Sequence, residues 1–123
     1  FWADLIRFAR GNVNIHVAEP MELILAKQLI NSFLALKVSY FNQVFDYCKG
    51  EGVDFENVRK VITDDPRIGG SHSMVSDERG FGGHCFPKDV LATIRSSVMS
   101  AGSRFTLLEE AYEYNQSLRK ETT

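Results

Sequence analysis

The sequence predicts a mainly α chain in which one long central helix is packed by shorter helices. Three observations carry that expectation. From Pro20 to Lys49 there is neither Gly nor Pro, so nothing interrupts a helix of roughly 30 residues, about 45 Å at 1.5 Å per residue. Three later segments open on residues that start helices. Only one segment, Val13–Val17, alternates apolar and polar side chains as a strand does.

Taken in order, Phe1, Leu5, Phe8 and Ala9 fall at helical spacing, and Gly11 follows as a stop. The short strand comes next, giving a helix and strand with no sheet to join. Pro20 suits the first turn of the long helix, where a missing N–H costs nothing, and Gly50 is the expected stop. Leu23, Ile30, Leu34, Val38, Phe41 and Phe45 form one apolar stripe; Leu25, Leu29, Phe33, Leu36 and Tyr40 lie off it. A helix apolar on more than one side needs cover on more than one side, so a homodimer through the helix over 20–49 is expected. Asp54 caps a short helix to about Ile62. Residues 67–84 are rich in Gly and Ser and read as a long loop. Pro87 opens a helix to about Ala101, with Gly102 as its stop. Thr106 and Glu109 are spaced as a capping box for a last helix, with Leu107, Leu108, Ala111, Tyr112 and Leu118 on its inner face.

At 123 residues the chain fits one domain of ordinary size, and 44% hydrophobic against 24% charged residues is the balance of a globular protein. A net charge of −2, with dispersed Lys and Arg, argues against a nucleic-acid partner. No apolar run approaches the roughly 18–20 residues of a membrane span. Two cysteines, Cys48 and Cys85, suit a reducing cytoplasm. Scattered His16, His72 and His84 have no zinc-site spacing, so no metal is expected. The first residue is Phe1 rather than Met, and the chain reads as a piece of a longer protein.

The chemistry concentrates in Gly80–Asp89, GFGGHCFPKD. Its glycines permit backbone angles closed to other residues and let the main chain approach a ligand. Cys85 falls just before the expected helix start, where unpaired N–H groups gather positive charge and favour the thiolate; Lys88 adds a full charge. A thiol so placed is a candidate nucleophile. An inert glycine cluster ahead of a helix is the bland alternative. The stretch is neither a GxGxxG fingerprint nor a P-loop.

This segment closely resembles the cysteine motif of the UDP-glucose/GDP-mannose dehydrogenase family. The resemblance extends to Lys27–Ala35 (KQLINSFLA, against K-x-x-x-N-x-F-L-A), to Asp65–Gly69 (DPRIG) and, more loosely, to Asn115. It implies that residues 1–18 are the tail of an N-terminal Rossmann NAD-binding domain, and that 19–123 are the all-α central domain whose long helix forms a dimer interface. It also implies an NAD-dependent, four-electron oxidation of a UDP- or GDP-sugar C6 alcohol to a uronate. The carbon passes through a thiohemiacetal and a thioester on the cysteine.

By that resemblance Cys85 is the nucleophile and Asp89 positions or activates water. Lys27 and Asn31 hold the reacting oxygen, by charge and by hydrogen bonding; at i and i+4 they share a helix face. Arg67 reaches substrate across the dimer, Phe81 and Gly82 lie against the sugar, and Lys88 lies near NAD. The chain departs from the family at Leu23-Ile24, where Ala-Glu is usual. It departs again in a longer, more polar loop, Ser71–Ser76, and at His84, which is familiar from relatives acting on other sugars. The fragment alone, lacking a Rossmann sheet, is expected to be inactive. The alternative reading is a stand-alone dimerisation module with a vestigial site.

Overall fold

The computed structural model describes residues 18–83 and 85–121. The expected N-terminal helix and strand lie outside them. Among the described residues there are four helices and no strand: α1 (Pro20–Glu51), α2 (Phe55–Asp64), α3 (Cys85–Met99) and α4 (Thr106–Glu121). The mainly α expectation holds. Among the described residues no helix is long and apolar enough to cross a membrane.

Helix α1 runs 32 residues from Pro20 at its first turn. Glu22 reaches back to accept the Glu19 N–H at 2.8 Å, which satisfies one of the donors that a helix start leaves unpaired. The helix passes through Gly50, the stop expected from sequence, and ends at Gly52 with φ 72°. Gly52 N–H donates to Lys49 C=O at 3.3 Å and Val53 N–H to Cys48 C=O at 3.0 Å, the paired bonds of a Schellman cap. A glycine inside a helix costs only about 1 kcal/mol, whereas the left-handed cap needs one, so the second glycine decides.

The face α1 turns inward is not the large-residue stripe. Val38 and Phe41 are buried, but so are Ser32, Ala35, Ser39 and Asn42, while Ile30 is exposed. Small side chains at this spacing let a second helix approach closely. Helix α3 takes that place and packs Val90, Thr93 and Ser97 inward. Helix α4 closes the core with Leu108, Ala111 and Leu118. Ala35, Val38, Phe81, Val90 and Leu108 form the central cluster, flanked by Phe86, Phe105 and Tyr112. Helix α2 docks more lightly, with the Phe55 ring set edge-on to Phe45 at 5.4 Å. Its Asp54 cap holds as expected, accepting the Glu56 N–H at 3.0 Å.

Two helix starts differ from expectation. Helix α3 begins at Cys85, two residues before Pro87; proline is tolerated because the first helical N–H groups have no partner to lose. The anticipated Thr106–Glu109 capping box is replaced. Glu109 grips Arg104 through two bonds of 2.8 and 2.9 Å, and the Phe105 carbonyl receives the Leu108 and Glu109 N–H groups. This turns Leu107 outward, 68% exposed, rather than onto the inner face.

Candidate active site

The site is built where α1 meets the start of α3. Asn31 Nδ2 donates to Asp89 Oδ2 at 2.6 Å. Asp89 stands one turn after Cys85, which opens α3 and whose backbone alone is described. Residues at i and i+4 share a helical face, so Cys85, Asp89 and Asn31 fall in one neighbourhood. The register is locked a turn further on. Thr93 Oγ1 donates to the Asp89 carbonyl at 2.8 Å and accepts from Gln28 Nε2 at 2.8 Å. Ser32 Oγ lies 3.1 Å from Thr93 Oγ1 and donates to Gln28 C=O at 3.0 Å. Ser32 and Thr93 are buried, and a buried hydroxyl left without partners costs about 1–3 kcal/mol. A slip of α3 along α1 is penalised accordingly.

Lys27 lies one turn along α1 from Asn31 and is exposed; the bonds tying α1 to α3 do not include it. Lys88 is exposed in the first turn of α3. The hydrogen bonds of Arg67 go to Asp65, at 2.7 and 3.0 Å from its guanidinium. That pairing holds the Asp65 carboxyl below the usual carboxylate range and raises Arg67. The turn that carries Arg67 is fastened to α1 by Lys37 Nζ, which donates to Ile68 C=O at 2.8 Å and Gly69 C=O at 3.2 Å. Among the described residues no three potential ligands cluster as a metal site.

The glycine-rich loop is held more tightly than its composition implies. Asn42 Oδ1 accepts from Gly80 N–H at 3.0 Å and from Arg79 Nε at 2.8 Å. Asn115 Oδ1 accepts from Phe81 N–H at 2.7 Å while its Nδ2 donates to Phe81 C=O at 2.9 Å. Arg79 also bonds Asp46 at 3.0 Å and lies over the Phe45 ring at 4.9 Å, which compensates for its left-handed φ of 62°. Tyr114 stands against the same carboxylate; burial first, and Asp46 second, push its phenol up. The Phe81 ring is 3% exposed and packs in the core. A Cβ at Gly80 would collide with Asn115 Oδ1, and one at Gly82 with the Arg119 guanidinium. At both positions the close approach that glycine permits is to a protein side chain.

The polar segment Ser71–Ser76 is anchored too. Buried Ser73 donates to Gly70 C=O at 2.6 Å and accepts from Arg59 Nη1 at 3.0 Å. His72, at φ 59°, lies against the Phe86 ring with centroids 5.6 Å apart, next in sequence to Cys85.

Comparison with known proteins decides what this arrangement belongs to. Residues 22–117 match the sequence profile of the UDP-glucose/GDP-mannose dehydrogenase family, central domain. The chain belongs to that family. Over 90 residues it is 40% identical to a UDP-glucose 6-dehydrogenase of Pseudomonas aeruginosa, covering 73% of this chain and 19% of the relative. Over 101 residues it is 38% identical to UDP-glucose 6-dehydrogenase TuaD of Bacillus subtilis, covering 82% and 21%. A solved UDP-glucose dehydrogenase from the hyperthermophilic archaeon Pyrobaculum islandicum superposes with a TM-score of 0.78 at 34% identity, covering 94% of this chain and 26% of that one. The chain thus spans about a fifth of the length of the two sequence relatives.

For this dehydrogenase central domain, sequence reading singled out Asn31 and Asp89, and the structure joins them directly. It missed Gln28, Ser32 and Thr93, for which a signal existed: a polar i, i+4 pair on an otherwise apolar helix, and a hydroxyl one turn past Asp89. It gave Asn42 no role, and treated Asn115 only as a matching position.

Proposed function

We propose that this chain is the cysteine-bearing central domain of a nucleotide-sugar 6-dehydrogenase, with Cys85 the nucleophile. The observation that carries the reading is the Asn31–Asp89 bond at 2.6 Å, one helical turn from Cys85. In the proposed reaction the Cys85 thiolate adds to the C6 aldehyde. A carbon–sulfur bond forms, the carbonyl pair moves to oxygen, and Lys27 and Asn31 stabilise the oxyanion. Loss of the C6 hydride, for which NAD would be the acceptor, turns the thiohemiacetal into a thioester; a water held by Asp89 then attacks the acyl carbon and gives its proton to that carboxylate. The carbon–sulfur bond breaks, and the thiolate leaves as the carboxylate product forms. A thiol suits both roles because it is nucleophile and leaving group in turn. Asp89 Oδ2 is fixed by Asn31, and we assign its other oxygen to the water.

Hydride acceptance belongs to NAD, and the described residues do not form its cradle. They contain no strand, hence no crevice at the ends of a parallel sheet. The Gly80 and Phe81 N–H groups are already given to Asn42 and Asn115 and cannot receive a pyrophosphate. Lys88 contributes positive charge beside Cys85 toward a cofactor held mainly elsewhere. Arg67 and Gly82 are the positions we assign to the sugar nucleotide, Arg67 reaching it across a homodimer. That dimer forms on α1, where Leu25, Leu29, Phe33, Tyr40 and Tyr47 are exposed at intervals of four and seven residues, which draw one stripe along a helix.

The test is transplantation. Residues 22–117 replace the matching segment of the Pseudomonas relative, and NADH formation from UDP-glucose is followed. The chimera is expected to turn over, the isolated chain to give no NADH, and Cys85→Ser to cut chimera turnover by about a thousandfold or more. A chimera that keeps full turnover with Cys85→Ser refutes the assignment.

A further inference from the structure

We propose that Asn42 and Asn115 are positioning residues for Cys85, gripping the backbone of Gly80 and Phe81 from opposite sides and so fixing where α3 begins. The inference rests on the reading of Cys85 as nucleophile given above.

The physical problem lies at the start of α3. Its first N–H groups have no partners within the helix, and first turns fray. Cys85 is the first helical residue, and Gly82 and Gly83 precede it closely with little stiffness of their own. A nucleophile there has a defined position only if the chain is fixed just upstream. The two asparagines supply that fixing. Both are buried, at 0% and 3% exposure. Asn42, from α1, takes the Gly80 N–H, and Asn115, from α4, takes both the N–H and the C=O of Phe81. One carboxamide satisfying both polar groups of a single residue mimics a strand partner and fixes that peptide in orientation as well as place. Asn42 is itself oriented by Nδ2, which donates to Val38 C=O at 2.9 Å. The Phe81 ring, in the core beside Val38, Val90 and Leu108, pins the same residue a third way. Gly80, with φ 67°, leaves the space that Asn115 Oδ1 fills. The grip therefore depends on glycine at 80 and on an amide at 115. A carboxylate at 115 keeps the acceptor for Phe81 N–H but sets an oxygen against Phe81 C=O. A carboxylate at 42 keeps the loop-facing acceptor for Gly80 and Arg79, and sets its other oxygen against Val38 C=O, within α1 rather than on the loop.

That asymmetry makes the test. The rate of Cys85 alkylation by iodoacetamide is measured against pH on the full chain, located by peptide mass spectrometry, with the thermal midpoint recorded for each variant. Asn115→Asp is expected to slow Cys85 alkylation at neutral pH about tenfold, as its profile moves up by about one pH unit. Asn42→Asp is expected to stay within about twofold of the parent, although both variants lose thermal stability. A purely structural role lowers both midpoints and leaves both Cys85 profiles as in the parent, which overturns the proposal. If Asn115→Asp does not fold, Gly80→Ala serves, because its Cβ displaces the same contact. Slowed Cys85 alkylation there supports the grip and parental reactivity overturns it. If the parent chain already shows an ordinary thiol profile, the nucleophile reading fails and this inference falls with it. A shifted parent with unshifted variants removes the grip alone.

Discussion

From Ser32 to Cys48, α1 supplies the core: Ala35, Val38, Phe41 and Asn42 are all buried, and the helix packs against α3 and α4. From Met21 to Ile30 the same helix leaves Met21, Ile24, Leu25, Leu29 and Ile30 exposed. The two stretches are about equally apolar in sequence, yet only the one from Ser32 onward has an inward face covered by its own chain. Lys27 sits in the uncovered stretch, and Asn31, at the junction of the two, is tied down through Asp89. The side of the site that carries Lys27 is thus the one its own chain leaves exposed.

The largest expected effect separates the covered face of α1 from its uncovered one. Phe41, 1% exposed, is on the covered face, and Phe33, 64% exposed, is on the outward face of the same stretch. Phe41→Ala is expected to cost about 3–5 kcal/mol in chemical denaturation. Phe33→Ala is expected to stay within about 0.5 kcal/mol in the dilute monomer, while weakening self-association in light scattering. A monomeric parent chain at micromolar concentration breaks the comparison, because the exposed stripe is then not a dimer surface. The grip on Phe81 comes next in size, with its tenfold change in Cys85 reactivity for Asn115→Asp. The smallest effect sharpens the covered face. Ser39 is buried, and its hydroxyl has no hydrogen-bond partner among the described residues. Removing an unsatisfied buried group relieves a desolvation cost, so Ser39→Ala is expected to leave stability unchanged or raise it by about 1 kcal/mol, read as a higher thermal midpoint.

These contrasts also show what the sequence made legible. The long helix, the Asp54 cap and the mainly α class followed from local rules that tertiary structure did not override. The inward face of α1 did not, because size is a poor guide where helices approach closely. Ser32, Ser39 and Asn42 outcompete Ile30 for burial, two of them because hydrogen bonds satisfy them. The Gly50 stop misled because two glycines stood within reach and only the cap geometry chooses between them. In the site, Asn31 and Asp89 were legible through a motif. Asn42 and Asn115 were not, because their partners are backbone groups 38 and 34 residues away in sequence, and no local pattern announces such a contact.

Everything proposed for the site turns on Cys85, at the head of α3, being a nucleophilic thiol. The parent chain carries its own comparison, since Cys48 is buried in α1 at 3% exposure. The most direct measurement is the alkylation rate of each cysteine against pH. Cys85 is expected to react much faster than Cys48 and to titrate below the ordinary thiol value of about 8.5. A Cys85 that titrates at that value, or that is as slow as Cys48, contradicts that role.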